Sequence, residues 1–196
     1  MMIEFLEALD KDVILAINGW NTPFLDKLMW IISGKFTWIP FYALLLYLFW
    51  RKTNTRLTIL FLLSSIMVVA IVDLSSVHLF KNVFERYRPS HNLQLTDILH
   101  FHQYDNGELY KGGTYGFVSS HAANFFGLCT FAYFVMRPFY PKILPYLGLV
   151  VILIGYSRIY LGVHYLSDVL CGGLLGMLAA LLVYRFVYLK LNKSKS

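Results

Sequence analysis

Three residues whose types can do chemistry, Arg158, His164 and Asp168, lie within residues 157–168, between two long apolar runs. His164 and Asp168 are four residues apart, so on a helix they share one face. A carboxylate beside an imidazole can fix its tautomer and raise its basicity. Arg158 precedes His164 across a glycine-containing break and can return a guanidinium to the same place. The stretch indicates an imidazole with an orienting acid and an anion clamp; the alternative is a structural His–Asp pair at a helix entrance.

Two cations at the end of an earlier apolar run form a second candidate. Lys81 and Arg88 are seven residues apart, or two helical turns, so both are expected to point the same way, and Pro89 is expected to end the helix. Glu85 can pair with Lys81. Arg86 lies off that face and is expected to meet headgroups or solvent. The alternative for the two cations is ordinary snorkelling at a membrane interface.

A third candidate stands at the start of another apolar run, where residues 118–121 are Val-Ser-Ser-His. A serine N-cap followed by a helix leaves backbone N–H groups facing outward, which suits a phosphate oxygen. His121, in the first turn, can reach an anion that is bound there. The alternative is a simple cap with an interfacial histidine.

Composition indicates an integral membrane protein. Hydrophobic residues make up 58% of the 196-residue chain and charged residues only 14%, against a usual charged share of about 25%. Several runs reach the roughly 17–25 apolar residues that a helix needs to cross a bilayer. The net charge is +6, but the basic residues are scattered without aromatic platforms, which disfavours nucleic acid as a partner.

The pattern predicts an all-α, polytopic membrane helix bundle that forms a single domain over residues 1–196. Amphipathic patterning over residues 3–20 and 24–34 predicts interfacial helices on the membrane, with residues 1–35 as the interfacial part. The bundle covers residues 36–189 and includes a long polar outer loop, 82–117. The five predicted spans are 36–50, 57–80, 118–136, 143–160 and 165–189.

Positive charge predicts the orientation of the bundle. One end would carry nine basic residues and no acid: Arg51, Lys52, Arg56, Arg137, Lys142, Arg185, Lys190, Lys193 and Lys195. By the positive-inside tendency this end is cytoplasmic. The three candidate clusters then share the outer face, at a leaflet boundary where charges are costly and tend to be functional.

Other polar residues carry less information. His91, His100 and His102 in the outer loop have no regular ligand spacing with a carboxylate, so no metal site is expected. Asp73, inside the second span, is expected to face the bundle in a structural role. The sequence leaves the roles of these four residues open.

Taken in order, the three clusters resemble the signature of the type 2 phosphatidic acid phosphatase family. Its members are integral membrane relatives of the vanadium haloperoxidases and the bacterial acid phosphatases. The matching residues are Lys81, Arg88 and Pro89; Ser119 and His121; and Ser157, Arg158, His164 and Asp168. The usual second motif of the family is Pro-Ser-Gly-His, and here Val118 and Ser120 replace its proline and glycine.

The resemblance implies a role for each catalytic residue. His164 would be the nucleophile that forms a phosphohistidine, and Asp168 would orient it and stabilise its positive charge. His121 would be the general acid that protonates the leaving oxygen and then activates water.

The resemblance also implies a phosphate-binding set, which consists of Lys81, Arg88, Ser119, Ser120 and Arg158. Cations and N–H groups of this kind hold phosphoryl oxygens as charge spreads onto them. Three fixed cations do the work that a divalent metal does elsewhere, so neither a metal nor a cofactor is expected.

A lipid phosphatase acting on a phosphate monoester or a pyrophosphate is therefore expected, in a bacterial inner membrane with its site on the periplasmic side. Undecaprenyl diphosphate is the first expectation for the substrate. Lipid A, phosphatidylglycerol phosphate and phosphatidic acid are the alternatives. A non-enzymatic transporter, as the rival class, predicts charges along a path through mid-span, whereas these charges cluster at one end. The sequence does not decide the lipid or the oligomeric state.

Overall fold

The computed structural model describes residues 2–34 and 36–193, where the regular structure is helical and no β-strand occurs. The helices are α1 (Met2–Gly19), α2 (Pro23–Ser33), α3 (Ile39–Lys52), α4 (Thr55–Ser75), α5 (Ser120–Met136), α6 (Leu144–Tyr160) and α7 (Leu166–Val183). A π-helical turn, Ser76–Lys81, and a last turn, Asn82–Phe84, continue α4, while Tyr184–Tyr188 and Leu189–Lys193 continue α7. Lys35, at the predicted border of the interfacial part, and Lys195 lie outside the described residues.

The first two helices follow from local sequence signals. The side chain of Thr22 accepts a hydrogen bond from the Leu25 amide at 3.2 Å, and Pro23 occupies the first turn of α2, so both stabilise its start. On α1, Ile14 is fully buried while Phe5 is exposed. Only part of the apolar stripe of α1 is therefore packed against the rest of the protein.

Close packing of α5 against α7 forms the centre of the bundle. A Cβ atom on Gly172 would lie 2.6 Å from the carbonyl oxygen of Ser119, and one on Gly176 would overlap the carbonyl oxygen of Ala123. Only glycine allows the two backbones to approach this closely, as in the small-residue interfaces of membrane helices. The N-termini of α5 and α7 are consequently fixed next to each other.

The helices alternate in direction, so the molecule has two distinct ends. At one end Arg56, at the start of α4, donates a hydrogen bond to the Leu191 carbonyl at 3.3 Å, and Tyr140 donates to the Leu48 carbonyl at 3.0 Å. The three candidate clusters lie at the opposite end. This separation places the 51–56 turn and the C-terminal helix together, away from the candidate site, as the sequence predicted.

Among the described residues, two continuous helices are long and apolar enough to cross a membrane, namely Thr55–Phe84 and Leu166–Lys193. Their 18-residue apolar windows have mean hydropathies of 2.5 and 2.1. Leu144–Tyr160 is apolar but shorter. Leu63 and Leu74 on α4 are 58% and 62% exposed, which suits a surface that lies in lipid. These features support an integral membrane helix bundle, and the count of five spans stays a prediction.

The segment around Pro89 differs from the prediction. The continuation of α4 ends at Phe84, and Glu85 adopts a left-handed conformation with φ 46°. Arg88 is extended, and Pro89 begins a short 3-10 turn. The prediction that Lys81 and Arg88 lie two turns apart on one helix is therefore wrong, because the chain leaves the helix between them.

Candidate active site

His164 lies in the short connection between α6 and α7, where the chain turns sharply. Gly162 makes the turn with φ +71°, and a Cβ atom there would lie 2.9 Å from the Phe101 ring. His164 itself is 1% exposed and contacts Arg88 of the outer loop. The nucleophile candidate is thus held by a backbone turn and not by a helix.

Asp168 contacts His164 but does not share a helical face with it, because α7 begins only at Leu166. Its Oδ2 atom accepts a hydrogen bond from the Tyr165 amide at 3.0 Å and lies 3.4 Å from Nδ1 of His164. Asp168 caps the first turn of α7 and faces the imidazole at the same time. The pairing agrees with the sequence prediction, while the reason given for it was wrong.

Arg88 fixes the tautomer of His164. Its Nη1 atom lies 2.9 Å from Nε2 of His164 and also donates to the Val163 carbonyl at 3.1 Å, while Nε donates to the Tyr115 carbonyl at 3.2 Å. A guanidinium can only donate, so Nε2 must accept with its lone pair. The ring proton then lies on Nδ1, on the side of Asp168.

The surroundings of His164 keep its imidazole neutral. Burial lowers the pKa of His164 well below the ordinary value of 6.5, and the positive charges of Arg88, Arg158 and Lys81 lower it further. These three cations come from three separate segments and act on one ring. Burial and the charge of Arg158 also lower the pKa of Arg88, to about 10.

Arg158 lies in the last turn of α6 and is 2% exposed. Its Nη1 atom donates to the Ser33 hydroxyl, and Nη2 donates to the Tyr110 hydroxyl at 2.9 Å. The Nε atom is buried and has no hydrogen-bond partner among the described residues. A buried cationic N–H group without a partner is costly, and an anionic oxygen would satisfy it.

The start of α5 contributes the serine cluster. Ser119 is fully buried, its hydroxyl accepts from the Ala122 amide at 3.4 Å, and its own amide donates to the Asp168 carbonyl at 3.0 Å. The Ser120 hydroxyl accepts from Lys81 Nζ at 2.7 Å and lies 2.8 Å from that of Ser76. Ser119 has the predicted capping role, and Ser120 connects Lys81 to the helix start.

His121 follows in the first turn of α5 and is partly exposed. Val118, which replaces the proline of the family motif, is fully buried. Ser120, which replaces the glycine, is partly exposed and faces Lys81. The helix start is therefore formed with both replacements in place.

The prediction that Arg86 meets headgroups or solvent is wrong. Its Nη1 atom donates to Asp168 Oδ1 at 3.0 Å and to the Ser167 hydroxyl at 2.6 Å, while Nη2 donates to Asp10 Oδ2 at 2.8 Å. Asp10, on α1, is 3% exposed. A signal for Asp10 exists in the sequence, because it precedes the buried Ile14 by one helical turn and so shares its face.

The remaining polar residues lie elsewhere. Asp73 is exposed, contrary to the expected bundle-facing position, and accepts from Asn124 Nδ2 at 2.9 Å. His100 Nε2 lies 3.0 Å from Asp26 Oδ2, and the ring of His102 stacks on Trp30 at 3.9 Å. His91 Nδ1 lies 3.2 Å from the Ser90 hydroxyl. Within residues 2–34 and 36–193, no group of three or more His, Cys, Asp or Glu side chains is arranged to hold a metal ion.

Three cations from separate segments, two of them buried, surround a neutral imidazole at one end of an apolar helix bundle. This arrangement defines a membrane enzyme built to act on an anionic group. Comparison of the sequence confirms the family predicted above: the chain belongs to the PAP2 superfamily, whose profile matches residues 57–191. Its relatives include the phosphoric monoester hydrolases named lipid A 4'-phosphatase and phosphatidylglycerophosphatase B, and the chain is a phosphatase of this superfamily.

Two relatives are proteins named lipid A 4'-phosphatase. The protein of Porphyromonas gingivalis is 35% identical over 190 residues, which cover 95% of this chain and 76% of the relative. That of Bacteroides thetaiotaomicron is 31% identical and covers 93% and 79%. The crystal structure of a transmembrane PAP2-type phosphatidylglycerolphosphate phosphatase from Bacillus subtilis has the same fold, with a TM-score of 0.66 at 23% identity over 96% of this chain and 88% of that one.

Proposed function

We propose that the chain removes a phosphate monoester from a membrane lipid, and that the lipid is lipid A, dephosphorylated at the 4' position. The two relatives that bear this activity in their names, at 35% and 31% identity over nearly the whole chain, support this choice. They favour lipid A, an alternative in the sequence analysis, over undecaprenyl diphosphate, which the sequence analysis ranked first.

The neutral imidazole of His164 carries the proposal. Its Nε2 lone pair is held by Arg88 at 2.9 Å, and Arg158 and Lys81 act on the same ring. A neutral imidazole is nucleophilic. The cations around it favour the binding of a phosphate dianion. These are the two requirements of phosphoryl transfer to histidine.

In the first step, Nε2 of His164 attacks phosphorus in line, and the bond between phosphorus and the lipid oxygen breaks. His121 gives a proton to that oxygen, so the lipid leaves as an alcohol. Asp168 stabilises the ring, which becomes positively charged through its bond to phosphorus. Arg88, Arg158 and Lys81 stabilise the charge on the three phosphoryl oxygens.

In the second step, His121 removes a proton from water, and the resulting hydroxide attacks the phosphorus of the phosphohistidine. The bond between Nε2 and phosphorus breaks, inorganic phosphate is formed and His164 returns to its neutral form. Ser119 and Ser120, with backbone N–H groups at the start of α5, hold phosphoryl oxygens during both steps.

We also propose that the site faces the periplasmic side of a bacterial inner membrane. The end of the bundle remote from the site carries Arg51, Lys52, Arg56, Arg137 and Lys142, and positive residues favour the cytoplasmic side. An impermeant thiol reagent tests this in whole cells with a cysteine introduced in the outer loop. Labelling only after the inner face is exposed would contradict the orientation.

A lipid panel tests the function. Phosphate release would be measured for the purified protein on lipid A, undecaprenyl diphosphate, phosphatidylglycerol phosphate and phosphatidic acid, in excess chelator. We expect the highest kcat/KM on lipid A, with activity retained in chelator. His164→Ala should abolish it, while His78→Ala, which changes an exposed histidine on the extension of α4, should not. A higher kcat/KM on another lipid would refute the substrate, and full activity in His164→Ala would refute the mechanism.

A further inference from the structure

Arg86 bridges two buried carboxylates from distant parts of the chain. One is Asp168, at 3.0 Å, with a side chain that is fully buried, and the other is Asp10 of α1, at 2.8 Å, with a side chain that is 4% exposed. The guanidinium also lies over the Tyr165 ring, 4.3 Å from its centre. Planar contacts on both edges and one face leave Arg86 little freedom to move.

Asp10 contacts the first turn of α7 directly as well. Its Oδ1 atom accepts a hydrogen bond from the Ser167 amide at 2.9 Å, and its Oδ2 atom accepts from the Ser167 hydroxyl. Ser167 immediately precedes Asp168, so α1 is connected both to the arginine that binds Asp168 and to the backbone that carries it. Two ion pairs hold this cluster together, from Arg86 to Asp10 and from Arg86 to Asp168.

We propose that Arg86 is a positioning residue for the reaction, anchored by Asp10, and that it aims Asp168 at His164. Arg86 occupies Oδ1 of Asp168, which leaves Oδ2 to face Nδ1 of His164 at 3.4 Å. This distance is long for a hydrogen bond, and such contacts tighten when the ring becomes charged. Because Arg86 holds Oδ1 of Asp168, it sets the direction of Oδ2. Arg86 therefore acts in the step in which the His164 ring becomes positively charged.

Charge supports the same assignment. A carboxylate that is buried without a cation is costly, and Arg86 is the arginine that contacts Asp168 directly. Within the described part of the chain, the guanidinium of Arg86 binds Asp10, Ser167, Asp168 and the face of the Tyr165 ring, and it makes no hydrogen bond to the three phosphate-binding cations. Loss of Arg86 should therefore lower kcat and leave the binding of the phosphate group, and with it KM, largely unchanged.

The inference makes α1 part of the catalytic apparatus, and it rests on the proposed mechanism. The test compares Asp10→Asn, Arg86→Gln and the double variant by steady-state kinetics on the best lipid of the panel. We expect kcat to fall about 10- to 100-fold in Arg86→Gln, because a displacement of a catalytic group by about 1 Å has an effect of this size. The fall in Asp10→Asn should be smaller. KM should stay within about threefold of the original value.

The double variant distinguishes an anchor from two independent effects. If Asp10 acts through Arg86, then Asp10→Asn should cause no further loss in the Arg86→Gln background. Asp12→Asn is the matched control, because Asp12 is an exposed acid on the same helix, and its kinetics should be unchanged. Arg86→Lys, which keeps the charge but not the planar fork, should recover only part of kcat.

Three results would overturn the proposal: unchanged kcat in Arg86→Gln, losses that multiply in the double variant, or a rise in KM with kcat preserved. Rates would be normalised to the folded fraction from thermal unfolding in detergent, and a loss explained wholly by unfolding also counts against it. The proposed function has its own test, because an active His164→Ala variant would refute it. If His164→Ala is inactive and Arg86→Gln is unaffected, only the positioning role is refuted.

Discussion

The guanidinium of Arg88 lies on the lone pair of His164, with Nη1 2.9 Å from Nε2. The nitrogen that attacks phosphorus in the proposed mechanism is therefore covered by a group that we propose binds phosphate. In this mechanism an arriving phosphate competes with the His164 ring for the guanidinium of Arg88. When Arg88 binds the phosphoryl oxygens instead of the ring, Nε2 of His164 is free to attack. Backbone at Gly112 and Gly116 packs against Arg88, where a Cβ atom would lie 3.2 Å from Nη1 and 3.0 Å from Cγ, so the outer loop encloses this contact.

The lowered pKa of His164 predicts a specific pH dependence of stability. The unfolded chain binds a proton near pH 6.5, whereas the folded protein does not until well below that value. Relative to His164→Gln, the wild type should lose about 1.4 kcal/mol of unfolding free energy per pH unit as pH falls below about 6.5, and nothing above it. Thermal unfolding in detergent between acidic and neutral pH measures this, and parallel profiles for the two proteins would contradict the burial of a neutral imidazole.

The contact between α5 and α7 predicts that Gly172→Ala impairs both stability and activity. The added Cβ atom would meet the Ser119 carbonyl at 2.6 Å, so the serine cluster must shift. Overpacking of this kind costs about 1–3 kcal/mol. Gly148→Ala is the control, because no atom lies within 4 Å of its Cβ position, and it should be neutral or stabilising. Equal behaviour of the two variants in unfolding and phosphate-release assays would refute the packing argument.

The hydrogen bond between Arg158 and Tyr110 predicts a functional role for the outer loop. Tyr110→Phe removes the hydroxyl that holds Nη2 at 2.9 Å, so Arg158 is less well oriented and kcat/KM should fall about tenfold. Tyr104→Phe changes another tyrosine of the same aromatic cluster around Trp30 and should have little effect. An equal effect of the two substitutions on kcat/KM would contradict a specific role for the Tyr110 hydroxyl in orienting Arg158.

The position of Lys81 predicts a strong effect of its charge. Lys81→Met keeps an apolar stem of similar length but removes the cation that contacts Ser120 at 2.7 Å, and kcat/KM should fall about 100- to 1000-fold. Lys142→Met removes an exposed lysine at the opposite end of the bundle and should leave kcat/KM unchanged. A loss below tenfold in Lys81→Met would contradict its role in binding the transferred phosphoryl group.

The helical character and the grouping of the three motifs were predictable, because apolar runs and motif spacing are local properties of the sequence. The path of the chain at residues 82–88 was not, since no residue signals the left-handed turn at Glu85. Lys81 and Arg88 both lie near His164, as predicted, but they belong to different elements. The predicted shared helical face was therefore the wrong reason for their proximity.

Partners from distant segments were the main omission. Asp10 and Arg86 are 76 residues apart, and Ser33 and Arg158 are 125 apart. Spacing rules reach only a few residues, so they cannot pair such groups. Helical periodicity does place Asp10 on the buried face of α1, and a buried acid needs a cation, which is the physical argument by which Arg86 could have been found.

A single-turnover experiment with lipid A labelled with 32P at the 4' phosphate tests the central claim most directly. Rapid quenching of the wild type should trap label on the protein in an alkali-stable, acid-labile bond that maps to His164, and the label should decay as inorganic phosphate appears. His164→Ala should show neither label nor turnover. Phosphate release with no labelled His164, or label retained in His164→Ala, would contradict the account.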